Sequence, residues 1–163
     1  MATTRMSKTR PPRLMRLLQV LGSLYDHEFG WLLGQRFLRL SHTGRRSGRC
    51  YRVMLEVIGI DREAGEIYVL AGLGPKTDWY RNVLAAPARI DLGAARLEVR
   101  AHPVDPVRAA GILNRYEYRN RMLAPIVRRG LSWVIGWRYD GSEAARHRLL
   151  AECPVVAFRP GRA

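Results

Sequence analysis

What most constrains this chain is a series of short, loosely alternating apolar runs cut by turn residues. Arg36 to His42 alternates and runs into the turn Thr43-Gly44. Tyr51 to Ile60 is rich in β-branched residues and breaks at Asp61-Arg62-Glu63-Ala64-Gly65. Glu66 to Ala71 then returns, so these two runs read as a hairpin with a longer loop. Arg89 to Leu92 and Arg96 to His102 make a second hairpin around Gly93-Ala94-Ala95, and Val155 to Arg159 reads as a closing strand. Helical signals fall between and after them. Thr77 or Asp78 caps a short helix, Trp79 to Ala86, which Pro87 closes. Asp105 followed by Pro106 opens a helix to about Met122. Ala124 to Arg138 is apolar and reads as a short helix with a tryptophan-bearing turn, and Ser142 caps a last helix to about Glu152. Five or six short antiparallel strands decorated by helices imply an α+β chain built on a small barrel.

At 163 residues the chain holds one real core, and 47% hydrophobic residues is an ordinary globular value. The charge is less ordinary: 28 Lys plus Arg against 14 Asp plus Glu gives +14, and the only lysines are Lys8 and Lys76. Such an excess attracts nucleic acid, an anionic membrane surface or a phosphorylated ligand. Nucleic acid ranks last, because no fold-specific motif accompanies the charge. Residues 1–24 read as a basic arm followed by an amphipathic helix, with Leu14, Leu17, Leu18 and Leu21 on one stripe. That stripe either packs on its own domain, the commoner use, or lies on a membrane with its arginines toward lipid phosphates. Residues 25–163 form the barrel domain. Cys50 and Cys153 stand outside any CxxC pattern, and His27, His42, His102 and His147 lack metal-ligand spacing, so no metal site is expected. No secretory signal and no run of the ~20 apolar residues needed to cross a bilayer is seen, which points to a cytoplasmic protein, peripheral at most to the inner face of the membrane.

Two phosphate motifs are excluded. Gly72-Leu73-Gly74-Pro75-Lys76-Thr77 lacks the glycine directly before the lysine of a Walker loop, and Thr77 occupies the last glycine of a dinucleotide fingerprint. Thr43-Gly44-Arg45-Arg46-Ser47-Gly48-Arg49 is different. It joins two strands and puts two glycines, two hydroxyls and three guanidinium groups into seven residues. Glycine lets backbone N–H groups approach an anion and form a nest, and arginine adds forked donors that match phosphate oxygens. Arg52, on the next strand, is placed to point back at the same anion. An ordinary hairpin turn with solvated arginines is the competing reading of the segment taken alone.

A second block lies about thirty residues on, Ala71-Gly72-Leu73-Gly74 followed by Trp79-Tyr80-Arg81-Asn82-Val83-Leu84-Ala85-Ala86-Pro87. A T-G-R-[KR]-S-G turn followed at this distance by a glycine loop and W-Y-x-N-L-x-A-x-P resembles the deazaflavin-dependent nitroreductase family of actinobacteria. The resemblance covers roughly residues 36 to 103. It implies a split β-barrel of the FMN-binding type, with mostly antiparallel strands and with N-terminal, connecting and C-terminal helices. It also implies coenzyme F-420, with FMN as the alternative ligand of such barrels, and a possible homodimer.

Residue by residue, the resemblance makes Arg45, Arg46, Ser47 and Gly48 the holders of the phosphodiester and acidic tail, with Thr43, Gly44 and Arg52 counted in the same cofactor site. Ala71, Gly72 and Gly74 would line the deazaflavin ring with backbone, and Trp79, Tyr80 and Asn82 would sit beside the ring and its ribityl chain. Trp79 and Tyr80 read equally as a hydrophobic plug at the start of their helix. The family often carries serine and lysine where this chain has Gly72 and Leu73. It tends to carry proline and arginine where Cys50 and Tyr51 stand. The implied activity is hydride transfer to a lipophilic acceptor such as a quinone, enone or nitro compound, with Tyr116, Tyr118 or solvent as proton donor. The alternative is a non-catalytic lipid or fatty-acid binder of the same fold at the membrane surface.

Overall fold

In the computed structural model, which describes residues 35–161, every expected strand forms. The arm and leucine-striped helix expected over 1–24, and His27, lie outside the described residues. In chain order the strands are β1 (Phe37–Thr43), β2 (Cys50–Asp61), β3 (Glu66–Leu70), β4 (Ala88–Leu92), β5 (Ala95–Pro103) and β6 (Val155–Pro160). All neighbours are antiparallel. Because β1 pairs with β4 as well as with β2, the order β1-β2-β3-β6-β5-β4 closes into a barrel. This is the small α+β barrel that the strand pattern implies, and the split barrel that the resemblance implies.

Alternation along each strand sorts the apolar residues into two cores. Leu38, Leu40, Val57, Ile67, Val69, Ile90, Leu92, Val99, Val156 and Phe158 fill the barrel. Their neighbours Ile58, Tyr68, Val155 and Ala157 point outward to a second core. Helix α1 (Asp78–Ala85) buries Trp79, Tyr80 and Val83 in the first core, so it plugs the barrel. Helices α2 (Pro106–Arg119), α3 (Ala124–Ile135) and α4 (Glu143–Glu152) build the second, through Ile112, Leu113 and Tyr116, Ile135, and Leu149.

The caps explain where the helices begin and stop. The Asp105 side chain accepts from the N–H groups of Val107 and Arg108, and the Ser142 hydroxyl accepts from Ala145 N–H, as their sequence positions require. Thr77 precedes α1 but makes no side-chain cap; its hydroxyl donates to the Gly74 carbonyl at 3.0 Å instead. Helix α2 stops short of Met122 because Asn120 leaves helical geometry and its Nδ2 donates back to the Tyr116 carbonyl at 2.8 Å. A 3-10 turn, Arg121–Leu123, then leads into α3, which ends on left-handed Gly136 (φ 84°).

Candidate functional site

The Thr43–Arg49 segment closes the β1–β2 hairpin, whose last strand pair is Thr43 with Cys50. Gly44 N–H donates to the Arg49 carbonyl and Gly48 N–H to the Gly44 carbonyl, both at 2.8 Å. Arg49 N–H reaches Ser47 Oγ, which also shares a 3.1 Å hydrogen bond with the Tyr51 hydroxyl. A Cβ on Gly44 would stand 2.5 Å from Ser47 Oγ and 2.7 Å from the Tyr51 ring, so glycine here is what lets the loop fold onto itself. The backbone nest expected from the glycines is therefore largely used up internally. Among the described residues, only the amides of Arg46 and Ser47 are left to an anion, together with the exposed Arg46, Ser47 and Arg49 side chains.

Arg45 does not point to an anion; it ties the loop to α1. Its backbone N–H donates to Asn82 Oδ1 at 3.1 Å, and its Nη1 donates to Asn82 Oδ1 and Asp78 Oδ1, each at 3.0 Å. Two donors on one oxygen fix the amide, so Asn82 Nδ2 faces His42 Nδ1 at 3.1 Å and donates to it. Burial lowers the His42 pKa from 6.5 against the raising pull of Asp78, which leaves the ring neutral and Nδ1 free to accept. His42 also stacks on Tyr51, with ring centroids 5.9 Å apart. An exposed Arg–Asp pair contributes at most about 1 kcal/mol. Asn82 is only 4% exposed, so its three hydrogen bonds, two with Arg45 and one with His42, make it the stronger element of this clasp.

The glycine segment sits beyond the end of β3. Ala71 is fully buried, with its N–H donating to the Pro154 carbonyl and its carbonyl accepting from Gly74 N–H. It shapes the segment rather than offering a surface. Gly74 adopts φ +82°, and a Cβ there would stand 3.2 Å from the Glu152 carbonyl. Gly72 is less crowded than Gly74: a Cβ there would make ordinary contact with Val134 Cγ1, at 3.7 Å. Cys153 Sγ donates to the Gly72 carbonyl at 3.5 Å, and Leu73 stands exposed beside it.

The fold thus gathers the Thr43–Gly48 loop and α1 into one unit, and Thr77 joins that unit to the glycine segment. Trp79 and Tyr80 take the plug role, both buried and in edge-to-face contact at 6.0 Å. Arg52 pairs in register with Ser41 on the outer face of the barrel wall, away from the inward Val53. Tyr116 and Tyr118 stay apart. The Tyr116 hydroxyl donates to Glu56 at 2.7 Å, and Glu56 pairs with Phe37 at the far end of β1. Six residues of strand separate Phe37 from Thr43, roughly 20 Å at ~3.3 Å per residue. Burial and the Glu56 carboxylate push the Tyr116 pKa well above its ordinary value, so it keeps its proton. A cleft of ≈ 420 Å³ lies at that end, lined by Arg36, Glu56, Val57, Tyr116 and Arg119 among others. Tyr118 is exposed and covered only by the Arg121 guanidinium, 4.8 Å from its ring. No motif or spacing marks His42, whose role appears only once Asn82 is brought to it across 40 residues.

The closed antiparallel barrel, plugged by α1, has the split-barrel fold, and its cationic hairpin loop is clasped to that plug. The chain belongs to the F420H(2)-dependent quinone reductase family, whose profile matches residues 25–124. By family it is an oxidoreductase, and its coenzyme is the deazaflavin F-420. No curated protein matches it. Among solved structures, it is similar to a protein of unknown function from Agrobacterium tumefaciens, at 17% identity and TM-score 0.51. That match covers 98% of this chain but 57% of the other, so the chain spans little more than half of that relative. A structure described as a domain-swapped dimer is 16% identical, with TM-score 0.50, over 92% of this chain and 100% of its own. An F420-H2 dependent reductase is 18% identical over 77% of this chain and 96% of its own, with TM-score 0.48. Among the described residues, no helix is long and apolar enough to cross a membrane.

Proposed function

We propose that the chain reduces a quinone with reduced coenzyme F-420, holding the coenzyme's phosphodiester at Arg46, Ser47 and Arg49. The observation that carries this reading is the loop itself: its backbone is folded inward over Gly44, which turns the Arg46, Ser47 and Arg49 side chains to solvent. Guanidinium forks and a hydroxyl are the donor set a phosphodiester takes. Thr43 and Gly48 set the loop's ends, and Gly48 needs its left-handed φ of +66°. Arg45, Asn82 and Asp78 keep the loop in one place on α1, so that binding need not order it. Arg52 adds positive charge from the outer wall without reaching the loop's inner side.

Gly72 and Leu73 fit a flat conjugated ring. With no side chain at Gly72, a ring can lie against its backbone beside Val134, and exposed Leu73 gives it a further apolar neighbour. When bound, the reduced coenzyme supplies two electrons as hydride. This chain's residues bind, orient and shield; none is required as a nucleophile. Tyr116 is buried and held by Glu56, and Tyr118 is solvated, so solvent is the proton source for the reduced acceptor. Exposed Leu73, where the family often has a lysine, favours an apolar acceptor, with quinones ahead of enones and nitro compounds. The same residue supports the second reading, a lipid binder that never turns over.

Steady-state oxidation of the reduced coenzyme by a quinone, an enone and a nitroarene separates the readings. Quinone turnover fastest of the three is expected. Saturable coenzyme binding with no turnover on any acceptor would leave the lipid binder standing.

A further inference from the structure

We infer that the exposed face running from Met122 through Trp133 is a docking surface for an anionic lipid bilayer. Met122, Ile126, Arg129 and Trp133 recur at helical spacing along the 3-10 turn and α3. Met122 is 86% exposed, Ile126 72% and Trp133 50%, and Arg129 is exposed between them. The opposite side of α3 is already satisfied, since Val127, Leu131 and Ile135 pack in the second core. The helix is thus anchored by one face and offers the other, apolar, to an outside surface.

Charge selects the occupant. Between Glu117 and Asp140 the chain carries five arginines and no Asp or Glu; Arg119 turns back to the Ile58 carbonyl and Arg128 lies against Gly141, which leaves Arg121, Arg129 and Arg138 to this face. A second copy would set this cationic face against itself. Anionic headgroups instead accept the arginines, the acyl boundary accepts Met122 and Ile126, and the interface is where tryptophan partitions.

Position gives the docking a use. Val134, next to Trp133, has its Cγ1 3.7 Å from where a Cβ on Gly72 would stand, so a docked α3 holds the glycine segment close to the membrane surface. A bilayer-dissolved quinone would then reach the site without crossing water. That consequence rests on the quinone reading, whereas the docking does not.

Vesicle co-sedimentation of the full chain tests the surface, using phosphatidylcholine alone and phosphatidylcholine with one part in four of phosphatidylglycerol. Wild type should bind the mixed vesicles and keep a large part of that binding at high salt, because apolar insertion is not screened. The variant Met122→Ser/Ile126→Ser/Trp133→Ser should bind at least about tenfold more weakly. Its melting temperature and its coenzyme titration should stay unchanged, since all three side chains lie outside both cores and the loop. Arg121→Gln/Arg129→Gln should lose the preference for the mixed vesicles. Quenching of tryptophan emission by brominated lipid should fall when Trp133 alone is replaced by Phe. Undiminished vesicle binding by the triple variant would overturn the inference, because the basic arm would then suffice. So would a wild-type dimer that the triple substitution turns into a monomer. Loss of quinone turnover with vesicle binding intact would count against the activity and leave the docking untouched.

Discussion

Asn82 joins the hairpin loop to the barrel plug through a single buried amide, taking two donors from Arg45 and giving one to His42. Asn82→Ala strands the Arg45 N–H and the His42 ring nitrogen together, so it should cost about 1–3 kcal/mol. A lowered melting temperature, with coenzyme affinity falling further than stability alone requires, is the expected pair of results. His42 gives the same clasp a pH dependence. Its folded pKa lies below the ordinary 6.5, so the unfolded chain binds the proton more readily. Stability is therefore full above 6.5 and is lost as pH falls from there through the lowered folded value. Melting curves across that window should show the loss in wild type and a flatter profile in His42→Gln. These residues also show where sequence reading stops. The Thr43–Gly48 loop was legible because its residue types crowd together. The clasp was not, because Arg45 and Asn82 meet across 37 residues and neither composition nor period marks such a pair.

At the scale of elements, β3 carries the most concentrated electrostatics. Glu66 is fully buried, and its carboxylate accepts from Arg159 at 2.6 Å and Tyr68 at 2.7 Å, with Arg108 Nη2 at 3.0 Å and His102 Nε2 at 3.2 Å beside it. Burial alone would raise its pKa, but the hydrogen bonds from Tyr68 and Arg159 and the charge of Arg108 outweigh burial and hold it below 4.5. The contribution is present above 4.5 and lost as pH falls through the lowered folded value. Glu66→Gln should cost about 1–3 kcal/mol by chemical denaturation, below the ~3–5 of a fully enclosed pair, because Arg108 and Arg159 regain water. The elements themselves were largely legible. Every strand and the helices after Asp105 and Ser142 sit where alternation and capping residues put them. The ends of α1 and α2 were less so: Thr77 turns back to Gly74 and Asn120 to Tyr116, both local contests that a propensity cannot decide.

For the whole molecule, barrel closure separates what the sequence placed together. Tyr116 follows the barrel in the chain and looked available to an acceptor, yet closure puts it in the outer core beside Glu56, at the far end of the β1–β2 hairpin from the loop. The loop, the plug helix and the glycine segment, by contrast, converge because β1, β3 and α1 are all fixed by the inner core. Net charge of +14 acts at this scale too, since it would draw an anionic coenzyme toward the loop proposed to hold its phosphodiester. The most direct measurement is a fluorescence titration of coenzyme F-420 into the full chain and into Arg46→Glu. Saturable binding in the micromolar range, weakened at least about tenfold in the variant, is the predicted result. An absence of saturation in wild type, or equal affinity in the two proteins, would contradict the assignment of the coenzyme's phosphodiester to this loop.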